Sequence, residues 1–172
     1  MNEVLEKIKT RRSVRRFKSD MPDKATVDRI IEAGIYAASG RNRQSAIIVA
    51  VTDKQTREKL VKINAEIMGA DTDPFYNAPV ILIVLADKNV PTHVYDGSLV
   101  MGNLMLAAHA EGLGSCWIHR AKETFESKEG KELLEKWGIS GDYVGIGNCI
   151  LGYRSGPYPV ARQRKSNFIY RV

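Results

Sequence analysis

The sequence predicts an α+β protein with three layers, in which helices flank one central sheet. Four apolar segments of strand type alternate with helical segments along the 172 residues. The connections between them differ in length, which disfavours a regular doubly wound sheet. One strand, VILIVLA after Pro79, is apolar at every position, as expected for a strand covered on both faces. Because composition is ordinary and no internal boundary is visible, we expect a single domain over residues 1–172.

Three helix starts are visible as capping side chains that precede apolar stripes. Asn2, Asp23 and Asp53 can each accept hydrogen bonds from the free N–H groups at a helix start. The stripes that follow have the 3.6-residue period of an amphipathic helix. These helices are predicted to end near Lys9, Ala38 and Met68, the third with Leu60, Ile63 and Ile67 facing inward.

Apolar runs and glycine stops indicate the remaining elements. The segment Tyr95–Glu111 is apolar all round, which predicts a helix that is almost entirely buried and that ends at the Gly112 turn. A charged helix or pair of helices is predicted over Lys122–Trp137, and a tail without amphipathic period follows Gly152. The predicted strands are AIIVAVT ending at Thr52, VILIVLA, SCWIH ending at His119, and Tyr143–Leu151. The first of them, with its β-branched run, is expected to be buried.

Charge and cysteine content restrict the partners and the compartment. The net charge of +6 is concentrated in Lys7–Lys18 and Arg154–Arg171, which favours an anionic partner. Cys116 and Cys149 lie in apolar runs, so we expect reduced thiols in a cytoplasmic protein. No apolar stretch approaches the ~20 residues of a membrane span, so no membrane partner is expected.

The segment Thr10–Phe17, TRRSVRRF, carries four arginines around one serine. Arginine forks pair bidentately with phosphate, and a neighbouring hydroxyl adds a further hydrogen bond. The residues alone leave three interpretations of this segment open: it binds phosphate, it is a solvated basic turn, or it is a nucleic-acid-binding arm. Aromatic residues among the cations of the tail would serve the last of these as stacking platforms; they are Tyr153, Tyr158, Phe168 and Tyr170.

The chain lacks the motifs of self-sufficient catalysis. His93, His109 and His119 are not at metal-ligand spacing, and neither GxSxG nor HExxH occurs, so no metal is expected. There is also no P-loop and no GxGxxG that opens a helix after a strand. Any chemistry therefore belongs to a cofactor that is held in another way.

Five segments in order resemble the FMN-dependent nitroreductase family, specifically its short members. They are RRSVRRF, ASGRNRQ, NAPVILIV, NLMLAAHAEGLGSCWI and VGIGNCILGY before a basic tail. The resemblance implies a mainly antiparallel central sheet flanked by helices. It also implies a homodimer with FMN at the interface and a C-terminal tail that extends onto the dimer partner.

The resemblance assigns roles to the basic segment. Arg11 and Ser13 match residues that contact the flavin phosphate and ribityl chain, and Arg12 can share the phosphate. Arg15 matches the position at the pyrimidine edge. A cation there lowers the energy of the negative charge that collects on N1 and O2 when the ring is reduced.

Three other parts of the chain match flavin-contacting segments of the family. The turn SGRNRQ resembles a segment that reaches the flavin of the other protomer, although Gln-Ser-Ala stands where the family commonly has Gln-Pro-Trp. The end of the SCWIH strand resembles one that brings backbone N–H groups to N5 and O4, with a plain surface loop as the alternative. A basic element in the tail matches one that closes over the phosphate. The implied contacts are Ser39, Arg41, Asn42, Gln44, the main chain of Ile118, His119 and Arg120, and the side chains of Arg162 and Arg164.

The resemblance implies an FMN-dependent oxidoreductase that takes hydride from NAD(P)H. It would pass the hydride by a ping-pong mechanism to nitroaromatics, quinones or similar electron-poor small molecules. Another flavin enzyme of this fold, such as a flavin reductase, a dehalogenase or a flavin-degrading enzyme, is the nearest alternative. A basic nucleic-acid-binding module is the alternative from a different class, and it predicts salt-sensitive binding and a colourless protein.

Overall fold

The structure, a computed structural model, describes residues 2–172. Helices and strands follow one another in the order that the sequence predicts, with a short 3₁₀ turn before the first strand. The helices are α1 (Glu3–Thr10), α2 (Lys24–Ile35), α3 (Lys54–Met68), α4 (His93–Ala110), α5 (Ala121–Glu126) and α6 (Lys128–Lys136). The strands are β1 (Ala46–Val51), β2 (Val80–Asp87), β3 (Gly114–Ile118) and β4 (Tyr143–Gly152), and the 3₁₀ turn is Gly40–Asn42.

The sheet has the strand order β1-β2-β4-β3, and each neighbouring pair is antiparallel. The predicted mainly antiparallel sheet is therefore confirmed. Strand β2 is central and buried from Val80 to Ala86, which explains why its sequence is apolar at every position. Strand β1 was predicted to be buried, but as an edge strand it is mostly half-exposed.

Helices cover both faces of the sheet, so the three-layer arrangement is confirmed. Alternate residues of β2 point to opposite faces. Ile81 packs in a cluster with residues of α3, α5 and α6, whereas Leu82 packs in a cluster with residues of α2 and α4. The two clusters form the core on either side of the sheet.

The predicted helix starts are confirmed. The side chains of Asn2, Asp23 and Asp53 each accept a hydrogen bond from a backbone N–H of the first helical turn. Helix α2 ends at Ile35 rather than near Ala38, because the chain tightens there and Ala37 N–H donates to the Gly34 carbonyl. The predicted inward position of Ile67 is wrong: it lies in the last turn of α3 and is 38% exposed.

Helix α4 is not buried all round, contrary to the sequence prediction. Met101 and Leu104 are fully buried, whereas Tyr95 and Leu99 are 72% and 51% exposed. An apolar period on every side predicts that each face is covered, but it does not say whether the cover comes from the same chain. Within residues 2–172, no helix has both the length and the hydropathy to cross a membrane.

Candidate functional site

The basic segment, residues 11–17, lies along the edge strand β3. Ser13 forms a parallel bridge with Ser115, and the backbone N–H of Val14 donates to the Ser115 carbonyl at 2.9 Å. The Val14 side chain is 2% exposed. A Cβ atom added to Gly114 would lie 2.8 Å from Val14, so the glycine permits this close contact. Val14 thus fixes the segment to the sheet while its arginine neighbours stay near the surface.

The start of the C-terminal tail packs against the same segment. The N–H of Lys18 donates to the Tyr153 carbonyl at 2.8 Å, and the N–H of Ser155 donates to the Arg16 carbonyl at 2.9 Å. The two basic regions of the sequence therefore meet in the structure. Arg162 and Arg164 lie further along the tail and are exposed, so their contact with a phosphate stays a prediction.

The cations of the segment lack acidic partners. No ion pair found within residues 2–172 includes Arg11, Arg12, Arg15 or Arg16. Arg11 Nη1 is buried and has no hydrogen-bond partner in the described chain. Because a buried donor without a hydrogen-bond partner is unfavourable, this position fits a phosphate group that accepts from Arg11 Nη1.

Arg12 has a different environment from Arg11. Its Nη1 donates to the carbonyls of Lys9 and Arg11, both at 2.7 Å, so it binds carbonyls at and just beyond the C-terminal end of α1. Its backbone N–H donates to the Tyr158 hydroxyl at 2.8 Å. Arg12 Nε, like Arg11 Nη1, is buried without a hydrogen-bond partner in the described chain. The sharing of a phosphate by Arg12 stays a prediction, because its Nη1 already binds two carbonyls.

His109 reports the positive potential around this segment. Its pKa is lowered from the usual 6.5, first by burial and then by the charges of Lys7, Arg11 and Arg12. By contrast, burial raises the pKa of the Cys149 thiol to about 12, so this free cysteine is a core residue without thiolate chemistry. The electrostatics thus favour an anion at the basic segment.

A cavity of about 220 Å³ opens where β3 ends. Arg15 lines it, with its guanidinium carbon 6.0 Å from the centre of the Tyr76 ring. The other lining residues come from the loop after α3 and from the end of β3; they include Thr72, Asp73, Pro74, Ile118, His119 and Arg120. The structure therefore brings Arg15 together with the predicted strand end.

Asn64 of α3 fixes the strand end, and sequence reasoning did not identify it. It is fully buried, its Nδ2 donates to the His119 carbonyl at 3.1 Å, and its Oδ1 accepts from Arg120 Nε at 3.0 Å. The backbone of Arg120 has a left-handed φ of 72°, which turns the chain sharply after β3. The Arg120 side chain is thus directed to α3, whereas the His119 side chain is exposed. An amide within the apolar stripe Leu60–Ile67 was the indication available in the sequence.

The loop after α3, which the sequence analysis leaves without a role, is held by Asp73. This carboxylate accepts from the N–H groups of Phe75 and Asn77, at 2.7 and 2.9 Å, and forms an ion pair with Arg57. Tyr76 and Asn77 both have positive φ. The Asp-Pro pair that begins this turn was a usable indication of it.

The turn SGRNRQ lies at the other end of the sheet. It precedes Ala46, which pairs with Ala86, whereas the basic segment lies beside Ser115 and thus near the opposite end of β2. The length of β1 separates these ends by about 17 Å. One chain therefore does not bring its candidates Ser39, Arg41, Asn42 and Gln44 to its own basic segment.

Asp96 at the start of α4 holds this turn in place. The carboxylate is 3% exposed and accepts from Gly40 N–H at 2.9 Å, Ser45 Oγ at 2.7 Å and Thr92 Oγ1 at 3.1 Å. Burial alone would raise the pKa of Asp96, but these hydrogen bonds outweigh burial and lower it. Three residues of the turn have left-handed φ between 49° and 54°, at about 1–2 kcal/mol each, and they are Arg41, Asn42 and Gln44.

The sequence profile that describes the Nitroreductase family matches residues 8–153, which include the basic segment, the turn and the whole sheet. The chain belongs to the nitroreductase family. The family resemblance drawn from the five sequence segments is therefore confirmed.

Two curated nitroreductase relatives and one solved structure show the extent of the similarity. A protein from Archaeoglobus fulgidus, named for NADH dehydrogenase/NAD(P)H nitroreductase activity, is 30% identical over 89% of this chain and 86% of its own length. A protein of the same name from Methanothermobacter thermautotrophicus is 31% identical over 67% of this chain, and the match spans 60% of that relative. A crystal structure of a nitroreductase with bound FMN from Bacteroides fragilis is 28% identical, with a TM-score of 0.91 over 100% of both chains.

We predict that Asp96→Asn loosens the SGRNRQ turn, because the amide loses the charge and one acceptor position at a buried site. The expected cost is about 1–3 kcal/mol of unfolding free energy. Chemical denaturation measures the cost, and amide hydrogen exchange at Gly40 should become faster. Asp28→Asn is the control, since Asp28 makes an exposed pair with Lys24 and should change little. Unchanged exchange at Gly40 in Asp96→Asn would remove Asp96 from this role.

Proposed function

We propose that this chain is an NAD(P)H-dependent FMN oxidoreductase that works as a homodimer with FMN at the interface. The observation that carries the proposal is the buried, unpartnered Nη1 of Arg11, within a segment of four arginines that lack acidic partners. Membership of the nitroreductase family supports the choice of FMN as the anion, since a relative 28% identical was crystallised with it. FMN, when bound, supplies an N5 atom that accepts hydride from NAD(P)H and passes it to an electron-poor acceptor.

At the phosphate end, the chain binds and neutralises charge. Arg11 donates to the phosphate from its half-buried position, and Ser13 adds a hydroxyl from the next surface-facing position of the segment. Arg12 adds positive potential next to them. Arg162 and Arg164 reach the phosphate from the tail. The pairing of Val14 with β3 keeps the segment in register while these side chains bind.

At the ring end, the chain provides a cation and oriented backbone groups. Arg15 lies in the cavity at the end of β3, where its charge stabilises negative charge at the pyrimidine edge. Backbone N–H groups of residues 118–120 would supply hydrogen-bond donors to the flavin ring at this strand end. Asn64 holds the His119 carbonyl and the Arg120 side chain, so the donors are oriented before FMN binds.

The exposed apolar surface supports an assembly of two chains. Tyr95 and Leu99 of α4, Val4 and Ile8 of α1, and Ile35 of α2 are between 51% and 72% exposed. A groove of about 400 Å³ runs between these three helices. Patches of this kind mark association surfaces, and a second copy would cover this one. In such a dimer, the SGRNRQ turn of the second copy would reach the FMN site at the basic segment of the first. The first copy's own turn lies too far from that site.

The acceptor is a small electron-poor molecule, such as a nitroaromatic or a quinone, that enters the cavity after the oxidised nicotinamide leaves. The exposed His119 side chain lies at this cavity and is a candidate contact for both molecules. Use of one cavity by both substrates predicts ping-pong kinetics. Residues 1–172 would form one domain that carries out both half-reactions.

Steady-state kinetics with FMN-loaded protein test this function. Initial rates measured against NADH or NADPH at several fixed acceptor concentrations should give parallel double-reciprocal lines. A panel containing a nitroaromatic, a quinone, free flavin and a halogenated aromatic compares the acceptor classes. Intersecting lines would contradict ping-pong transfer, and reduction of free flavin alone would assign a flavin reductase instead.

For the ring end, we predict that Arg15→Ala keeps the fold but binds FMN about tenfold more weakly, because one charge-assisted contact is lost. The bound flavin should also become harder to reduce, since the missing cation no longer stabilises negative charge on the ring. Fluorescence titration measures binding, and equilibrium reduction against a reference dye measures the potential.

Arg16→Ala is the matched control for Arg15→Ala. Arg16 carries the same charge one residue away, it is exposed, and its main chain is bound to the tail. Binding and potential should remain close to those of the unmodified protein. If Arg15→Ala and Arg16→Ala shift the potential equally, Arg15 has no specific position at the pyrimidine edge.

A further inference from the structure

Tyr158 is the last residue of the tail that is anchored within its own chain. It is half-buried, whereas all residues from 159 to 172 are exposed. Its ring stacks on His109 of α4, with the ring centres 5.5 Å apart and the planes at 17°. The Arg154 guanidinium lies 5.6 Å from the centre of the same ring. Tyr158 therefore fixes the point from which the exposed tail departs.

The hydrogen bonds around His109 determine which nitrogen of its ring carries the proton. Thr10 Oγ1 donates to the Glu6 carbonyl at 2.7 Å, so it has no proton left for His109. His109 Nε2–H therefore donates to Thr10 Oγ1, at 2.9 Å. The other ring nitrogen, Nδ1, then accepts from the Tyr158 hydroxyl at 3.1 Å.

The Tyr158 hydroxyl also accepts from the backbone N–H of Arg12 at 2.8 Å. This assignment needs a neutral imidazole. Burial is the main reason that the imidazole pKa is lowered, and the charges of Lys7, Arg11 and Arg12 lower it further, so the neutral state is favoured. Arg154 lies on the far side of the Tyr158 contact. The hydrogen-bonded chain from Thr10 through His109 and Tyr158 to Arg12 is called the clasp below.

We propose that the clasp positions the tail over the FMN phosphate and slows the release of FMN. The proposal rests on the proposed function. Arg12 lies between Arg11 and Ser13, so the clasp connects the tail directly to the backbone of the phosphate-binding segment. Movement of the tail root and movement of that segment are thereby coupled. Tyr158 and His109 are positioning residues in this account and do not touch the reacting atoms.

The reach of the tail shows what the clasp adds. Arg162 is four residues beyond Tyr158, so its Cα lies within about 14 Å of the clasp even when the chain is fully extended. Without the clasp, the nearest anchor is Ser155, seven residues away, and the reach grows to about 25 Å. A longer free tether lowers the effective concentration of the tail arginines at the phosphate. The clasp thus keeps Arg162 and Arg164 near the basic segment.

The test compares Tyr158→Phe with the unmodified protein. Phenylalanine keeps the ring that stacks on His109 and removes only the hydroxyl, so the fold should persist. Without FMN, amide exchange at Arg12 should accelerate, because its N–H loses its acceptor. With FMN, release measured by dilution and recovery of flavin fluorescence should be about 3- to 10-fold faster, as expected for the loss of one or two neutral hydrogen bonds.

Tyr153→Phe is the matched control for the clasp. Tyr153 lies on the same tail and is bound through its carbonyl by Lys18, so loss of its hydroxyl should change neither measurement. Unchanged Arg12 exchange in Tyr158→Phe would overturn the clasp itself. Accelerated exchange with unchanged FMN release would overturn its role in release. If the unmodified protein binds no FMN, the proposed function fails and the release role fails with it, while Arg12 exchange still measures the clasp.

Discussion

The arrangement of the candidate site depends on a cationic segment held at the edge of the sheet without acidic partners. Arg11 places a buried nitrogen where no atom of the described chain accepts from it. A buried donor of this kind is unfavourable until an acceptor completes it. Val14 and Gly114 impose this geometry, because their close packing fixes the segment on β3 irrespective of any ligand. The sheet edge thus presents positive charge that no acidic side chain of the described residues neutralises.

The two ends of the sheet have separate tasks, and this separation makes the dimer part of the proposed site. The basic segment lies beside Ser115, level with the start of β2, whereas the SGRNRQ turn precedes Ala46, which pairs with Ala86 near the end of β2. Asp96 holds that turn in a strained conformation with several exposed polar side chains. The exposed apolar residues Tyr95 and Leu99 lie in the first turns of α4, close in sequence to Asp96, which binds the turn. A second copy would cover these residues and use the turn.

The fold could be predicted from the sequence because its determinants are local. Helix caps such as Asn2 and Asp53 depend on neighbouring residues, and the apolar run of β2 reflects burial on both faces. The exposed face of α4 could not be predicted, since the same apolar period describes cover by the chain itself and cover by a partner. The basic segment was visible from its arginines, and the family resemblance gave each arginine a role that the residues alone left open.

The residues that hold the candidate site in place were not visible in the same way. Asn64 and Asp96 act through hydrogen bonds to residues 55 and 56 positions away, and Tyr158 binds Arg12 across 146 positions. Contacts at such separations follow from the packing of elements and carry no sequence periodicity. The one local indication of such a contact is a polar residue inside an apolar stripe. It shows that the side chain has a hydrogen-bond partner, but it does not identify that partner.

The central claim is that FMN binds between two copies of this chain, and a mixed dimer tests it most directly. Arg11→Ala removes a contact from the basic segment, and Asn42→Ala removes one from the turn, so each homodimer would have two weakened sites. If segment and turn come from different protomers, a hybrid of the two variants regains one intact site. FMN titration of the purified hybrid should then show one site with the affinity of the unmodified protein and one weak site. Two weakened sites in the hybrid would show that segment and turn of the same chain serve one FMN, and would contradict the account.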